Sequence, residues 1–448
     1  MVMAGRRSYS GVSAQNLSTE SSRLLSVRGN YAALSLILVG VLYNAVLAIL
    51  VARGLQLGYS SVAAVEVLIT LSCLAMSVST GLSSRDIMPI SLLWLIFALA
   101  LISSISFDKI YIGSIRNFAL IAVFAMLGQR MDIKFIRKAF FIASAITLAV
   151  LVWEIASVES YASFFSPARY YELTRGTAVS EFDDSGLSVG TIAFEGRFSL
   201  GIFSGRRTSS IFLEQVSINS YAIVCMAFLS GMWGSLTKKE RFLQISTILL
   251  IIASNNARMG ALMCLVMPVG YFIFPWLNRN LILAIPFLIL GLIFSLGSHL
   301  QNAVGDDLTG RLGVTYRLLN RLNLADLFAG NPLFVEKTFD SGYAFIIASI
   351  GLFGGFAYLL FLVYYPRHEN NEQTRASWSL AVYILAWLTV GGTATFSIKT
   401  AALLWSFIGC LSRSTGELQI KERNRLIERP LVRRRPPIAS SHGLSGRR

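Results

Sequence analysis

The sequence predicts an all-α polytopic membrane protein of about 12 transmembrane helices, with two large extracytoplasmic loops. Three observations predict it. Residues are 54% hydrophobic and only 14% charged, where a soluble domain carries about a quarter charged. Mean hydropathy is +0.61. Apolar runs recur near the length of about 20 residues that a helix needs to cross a hydrocarbon core of roughly 30 Å.

In chain order the expected spans are 31–52, 61–80, 87–107, 110–128, 139–157, 216–236, 242–256, 259–277, 280–298, 342–365, 378–396 and 397–412. Residues 1–29 read as a disordered cytoplasmic tail, 30–412 as the transmembrane domain and 413–448 as a basic cytoplasmic tail. The first span has no cleavage site before it and reads as an uncleaved signal anchor. Short connections rich in Lys and Arg stay in the cytoplasm. Arg85, Arg130, Lys134, Arg137, Lys138, Lys238, Lys239, Arg241, Arg279, Arg367 and Arg375 then fall inside, with both termini. The formal charge of +15 is thus mainly a topology signal, with some attraction to anionic headgroups; no nucleic-acid partner is expected.

Both long polar interruptions, at about 158–210 and 299–341, fall outside in this arrangement. A transporter needs little polar mass beyond the bilayer, so loops of this size point to handling of a substrate at the membrane surface. Cys73, Cys225, Cys264 and Cys410 sit in apolar runs, where thiols act as small hydrophobes. No CxxC, HExxH, Walker or GxGxxG pattern occurs, so neither a metal nor a cofactor is expected.

The first loop combines Arg169, Arg175, Arg197, Arg206 and Arg207 with Glu159, Glu172, Glu181, Asp183, Asp184 and Glu195. Tyr161, Phe164, Phe165, Tyr170 and Tyr171 cluster near its start. Such aromatics suit sugar rings, or form an interfacial belt. Arg206 and Arg207, where the loop re-enters the membrane before Glu214, can clamp a phosphate because guanidinium forks match its oxygens; snorkelling to headgroups is the plainer alternative. Asn255, Asn256, Ala257 and Arg258 make a sharp polar break between two spans, tolerated at membrane depth where it lines a cavity. Arg258 then touches headgroups or an anion.

In the second loop, residues 309–323 follow a helical period. Leu312, Tyr316 and Leu319 share one face, with Arg317 and Arg321 opposite. A helix lying on the outer surface, apolar side down, fits that pattern. Asp340 stands where the loop meets the next span; half-buried there, its carboxyl would titrate high unless an arginine sits beside it. It is a candidate general base. Gly351, Gly354 and Gly355 permit close approach of a neighbour. Glu66, Arg116 and Glu154 should face the bundle interior, Arg116 pairing with one of the glutamates.

With these residues the chain resembles the O-antigen ligase and Wzy-type polysaccharide polymerase superfamily, over about 30–412. Asp340, Ser341, Gly351 and Gly354 fit the spacing of the family's His motif at the end of its large loop, with Asp in place of His. Residues 207–214 are similar to its Arg-containing entry into the next span, Asn256-Ala257-Arg258-Met259-Gly260 to its Ser-Arg-Gly break, and Gly310-Arg311 to its Gly-Arg. The missing His favours a repeat-unit polymerase over a lipid A–core ligase. The resemblance implies a GT-C-like membrane glycosyltransferase of the bacterial inner membrane that polymerises undecaprenyl-diphosphate-linked oligosaccharide repeat units by inverting transfer. Asp340, with Glu214 second, would be the base, and Arg206, Arg207, Arg258, Arg311, Arg317 and Arg321 would hold the diphosphate. Its expected partners are the polyprenyl-diphosphate-linked oligosaccharide, membrane lipid, and a chain-length regulator and flippase of an export system. A flippase or other transporter is the competing expectation; the internal repeats of that class are not evident between the two halves.

Overall fold

The structure, a computed structural model, describes residues 24–108, 112–178, 186–187, 202–203, 206–303, 305, 308–338, 340–390 and 392–413. The expectations for Glu181, Asp183, Asp184, Glu195, Arg197 and the outer parts of both tails lie outside these residues.

Among the described residues the regular structure is entirely helical. The helices are α1 (Val27–Ala52), α2 (Tyr59–Ser79), α3 (Ile87–Phe107), α4 (Ile112–Arg130), α5 (Ile133–Ala156), α6 (Val158–Phe165), α7 (Pro167–Arg175), α8 (Gln215–Met232) and α9 (Lys238–Asn255). They continue as α10 (Arg258–Ile273), α11 (Leu281–Ser295), α12 (Gly297–Leu300), α13 (Leu308–Leu319), α14 (Leu324–Ala329), α15 (Pro332–Val335), α16 (Gly342–Tyr364), α17 (Asn371–Val390) and α18 (Ile398–Leu411). Eight helices are long and apolar enough to cross a membrane, and α11 and α18 are shorter apolar ones. This is the layout of a helical, multi-pass membrane protein.

All 12 expected apolar runs are helical, and their boundaries follow from caps more than from hydropathy. Asp132 accepts from the Lys134 amide and starts α5 six residues before its expected span at 139. Thr237 and Glu240 form a capping box at α9, and Ser341 caps α16. The first helix begins at Val27, inside the expected tail, where Ser26 accepts from the Gly29 amide. The expected span 378–396 is instead α17: its polar first turns are held by Gln373, whose side chain donates to the Leu411 and Arg413 carbonyls. It ends before Gly392, whose φ of 62° leaves the helical region.

The centre of the bundle is α18, buried from Ile398 to Cys410. It packs most closely on α4. A Cβ on Gly128 would lie 2.1 Å from the Ser406 carbonyl oxygen, and one on Gly409 2.1 Å from that of Ala125. Only glycine lets these backbones approach so closely. Phe396 packs against Phe118 with ring centroids 5.1 Å apart, so α18 begins level with the second turn of α4. Its 14 residues reach only about 21 Å at the helical rise, well short of a bilayer core. Its first turn therefore lies below the end of its neighbour.

The described start of the first loop, α6 and α7, does not float above the bundle. Tyr170 on α7 donates to the Asn44 side chain, eight residues before the end of α1 and so about 12 Å below it. Tyr161, Phe165, Tyr170 and Tyr171 are buried, packed among themselves and against Trp153. They form neither an open sugar platform nor an interfacial belt. Burying that much aromatic surface is what docks a polar loop into the membrane domain.

In the second loop the expected helix forms as α13, but Leu318, Leu319 and Leu322 pack with Ala344 and Ile347 of α16, and Tyr316 against Phe294. Its apolar side rests on protein, which corrects the expectation of a helix laid on the membrane surface. At Gly351 the α16 backbone breaks (φ 64°), and a Cβ there would meet the Phe328 carbonyl at 2.2 Å. The close neighbour that this glycine admits is thus α14. At the other end of the bundle Arg130 is buried against Asp86 at 2.8 Å and donates to the Thr80 hydroxyl and the Gly81 carbonyl. That arginine is a structural lock as well as a topology signal.

Candidate functional site

The site grows from the first turn of α18. Lys399 there is 2% exposed and donates to the Phe212 carbonyl at 3.2 Å and to a Glu214 carboxylate oxygen at 3.0 Å. Arg175, at the end of α7, pairs with the other Glu214 oxygen and lies 4.5 Å over the Tyr171 ring. The Ser217 hydroxyl donates to Glu214 at 2.6 Å. Burial alone would raise the Glu214 pKa, but the Lys399 and Arg175 charges outweigh it and hold the carboxyl well below the usual carboxylate range.

A second pair adjoins the first. Arg116 lies 2.7 Å from Glu66, and Tyr43 donates to the other Glu66 oxygen at 2.5 Å. Lys399 is within electrostatic reach of Arg175 and Glu66, and Tyr170 within reach of Arg175, Glu66 and Glu214. Three basic and two acidic side chains thus cluster between α7 and the bundle, with one basic group in excess. Arg175 is the accessible member, with half of its side chain exposed.

Beside this cluster the re-entering segment is pinned atom by atom. Glu154, buried as expected, accepts from the Ser209 amide at 3.0 Å and the Ser210 amide at 2.6 Å. It makes backbone bonds where an ion pair with Arg116 was an alternative. Tyr161 donates to the Ser210 carbonyl at 2.6 Å. Asn255 donates to the Thr208 carbonyl at 2.7 Å, and Arg207 to the Asn255 carbonyl at 2.7 Å. Of the five described non-glycine residues with positive φ, three (Ser210, Leu213 and Asn256) lie in this seam. Each such conformation costs about 1–3 kcal/mol and concentrates where geometry serves function.

The seam brings Arg206, Arg207, Arg258 and Glu214 to one end of the bundle. Arg206 opens the segment, half-buried, and Arg258 is exposed as the first residue of α10. Gly260, two residues on, packs directly on Asn219 of α8. Glu214 itself departs from its expected role. A carboxylate held so firmly ionised is a weak proton acceptor, and its contacts make it the anchor of Lys399 and Arg175.

The second loop contributes a different pair at the same end. Arg311 lies 3.1 Å from Asp340 and is the arginine beside that carboxylate which the sequence leaves open. Asp340 is not half-buried: three-quarters of its side chain is exposed, which keeps its carboxylate open to an incoming hydroxyl. Gly342 packs against Leu388 and Gly392, the turn that leads into α18 and Lys399. Arg317 points elsewhere. It donates to the carbonyls of Leu300, Gln301 and Ala303 at 2.8–3.4 Å, closing the end of α12, so it is a staple of the loop rather than an anion ligand. Arg321 lies beyond the end of α13, exposed in a turn, off the helical face expected for it.

Lys399 is not among the residues that the sequence singles out, and Arg175 enters there only as one loop charge among many. The available signal for Lys399 was a lone ammonium in an apolar helix, which must find a carboxylate or a water-filled space. No family model, no curated protein and no solved structure matches the chain. What the fold and the cluster define is a multi-pass helical membrane protein with a buried cationic site at its loop-bearing end.

Proposed function

We propose that the chain is a membrane glycosyltransferase that polymerises polyprenyl-diphosphate-linked oligosaccharide repeat units at the outer face of the bacterial inner membrane, crossing the bilayer 12 times. The observation that carries this reading is the cluster of Arg175, Lys399 and Glu214 beside Arg206, Arg207 and Arg258, with the accessible Asp340 carboxylate at the same end. Basic groups held in place by the fold stabilise a departing diphosphate without reorganising as it leaves. Glu214 holds the buried Lys399 ammonium group in place at 3.0 Å.

In the proposed reaction the acceptor hydroxyl attacks the anomeric carbon of the lipid-linked sugar. The bond from that carbon to the diphosphate oxygen breaks, its electron pair leaves with the diphosphate, and the hydroxyl proton passes to Asp340. Arg311 orients that carboxylate. A single displacement inverts the anomeric centre. The chemistry of an O-antigen ligase would differ only in the acceptor.

The Glu66–Arg116 pair inside the bundle favours a second reading, a lipid-linked oligosaccharide flippase, since intramembrane charges commonly mark substrate paths. Replacing Arg258 or Arg207 by Ala in cells separates the readings. Loss of long polymer with normal outward delivery of repeat units supports the transferase; loss of delivery itself supports the flippase and rejects the polymerase.

A further inference from the structure

At the opposite end of the bundle lies a cavity of about 1290 Å³ that the proposed reaction does not use. The turn before α3, the turn before α11 and the end of α16 with its following loop form its walls. Three arginines, Arg85, Arg279 and Arg367, line it against a single acid, Glu369. Arg367 is committed to Glu369 and to the Ser412 carbonyl. Arg279 is exposed and held 5.0 Å over the Tyr364 ring, which fixes its direction without consuming its hydrogen-bond donors. Arg85 lines the same cavity from the other flank.

The remaining lining is apolar where the cavity meets α3 and α11: Ile87, Met88 and Leu277. Below it, α3 and α11 expose Trp94, Phe287 and Leu288 on their outer faces. A free anion gains nothing from such walls, whereas an amphiphile fills both halves. We propose that this cavity binds the phosphate of an acidic phospholipid, held between Arg85 and Arg279, with its acyl chains running down the apolar faces of α3 and α11. Basic pockets between transmembrane helices on the cytoplasmic side recognise phosphate headgroups in this way. The occupant bridges α3 and α11, which flank α16, and so braces the end of the helix whose other end carries Asp340.

The test uses the full chain, purified and delipidated in detergent, titrated with phosphatidylglycerol, phosphatidylcholine or inorganic phosphate. Bound lipid is read by native mass spectrometry and protection by thermal unfolding. Phosphatidylglycerol is expected to be retained over phosphatidylcholine, with retention falling as salt rises. Arg279→Gln and Arg85→Gln should each weaken it roughly tenfold, the size of one charge-assisted hydrogen bond. Lys134→Gln, an exposed cation outside the cavity, should leave it unchanged. Equal retention of the two lipids, insensitivity to salt in the unmutated chain, or protection by inorganic phosphate but not by phosphatidylglycerol each overturns the proposal.

Discussion

Lys399 and Glu214, 185 residues apart in the chain, form a 3.0 Å ion pair at the start of the central helix. The pair ties the first loop's re-entry to α18, and through Arg175 it ties α7 to both. Replacing Lys399 by Met should destabilise the protein by about 3 kcal/mol, the usual cost of leaving one partner of a buried pair behind. Glu214→Gln also removes the partner of Arg175, so the double variant should lose less than the two single changes added together. Thermal unfolding in detergent checks this; strictly additive losses would contradict the pairing.

Asp340 and Arg311 behave differently because their pair is exposed. Such pairs contribute at most about 1 kcal/mol. Asp340→Asn should therefore unfold at the same temperature as the unmutated chain while losing polymer formation. Polymer of normal length and yield from that variant would remove Asp340 as the base.

The eight helices of spanning length are legible because long apolar runs force them, and the charge sorting places Arg207, Arg258 and Asp340 at one end. Contacts across long separations were not legible. Nothing in the spacing indicates that Arg311 meets Asp340 or that Arg317 closes α12. The buried tyrosines of α6 and α7 misled for a physical reason: an aromatic cluster in a polar loop has the same composition whether it stacks on sugar or on protein. Lys399 was hidden because one cation scarcely lowers the hydropathy of the run that holds it.

Acid sensitivity should trace in part to Glu240. Burial opposes its ionisation, but hydrogen bonds from Arg137 and Thr237 win and lower its pKa from 4.5 to about 2. The folded state then binds fewer protons than the unfolded state between those values, so this stabilisation is present above about pH 4.5 and fades as pH falls toward about 2. Between about pH 5 and pH 3 the unmutated chain should lose more thermal stability than Glu240→Gln. Parallel losses in the two proteins would show that this carboxylate carries none of the dependence.

Glycine positions offer a paired test of the central packing. Gly128→Ala places a methyl 2.1 Å from the Ser406 carbonyl oxygen and should cost about 1–3 kcal/mol through displaced backbone. Gly291→Ala in α11 meets nothing within 4 Å and should stabilise by up to about 1 kcal/mol. Unfolding temperatures moving in the same direction would refute the close α4–α18 approach.

The most direct measurement of the central claim is a reaction with purified protein and lipid-linked repeat units in detergent, counting new glycosidic bonds and released polyprenyl diphosphate together. The account predicts chain extension with one diphosphate-bearing lipid released per bond formed, lost in Arg258→Ala and Asp340→Asn. No extension by protein that is folded and binds the lipid-linked substrate would contradict it.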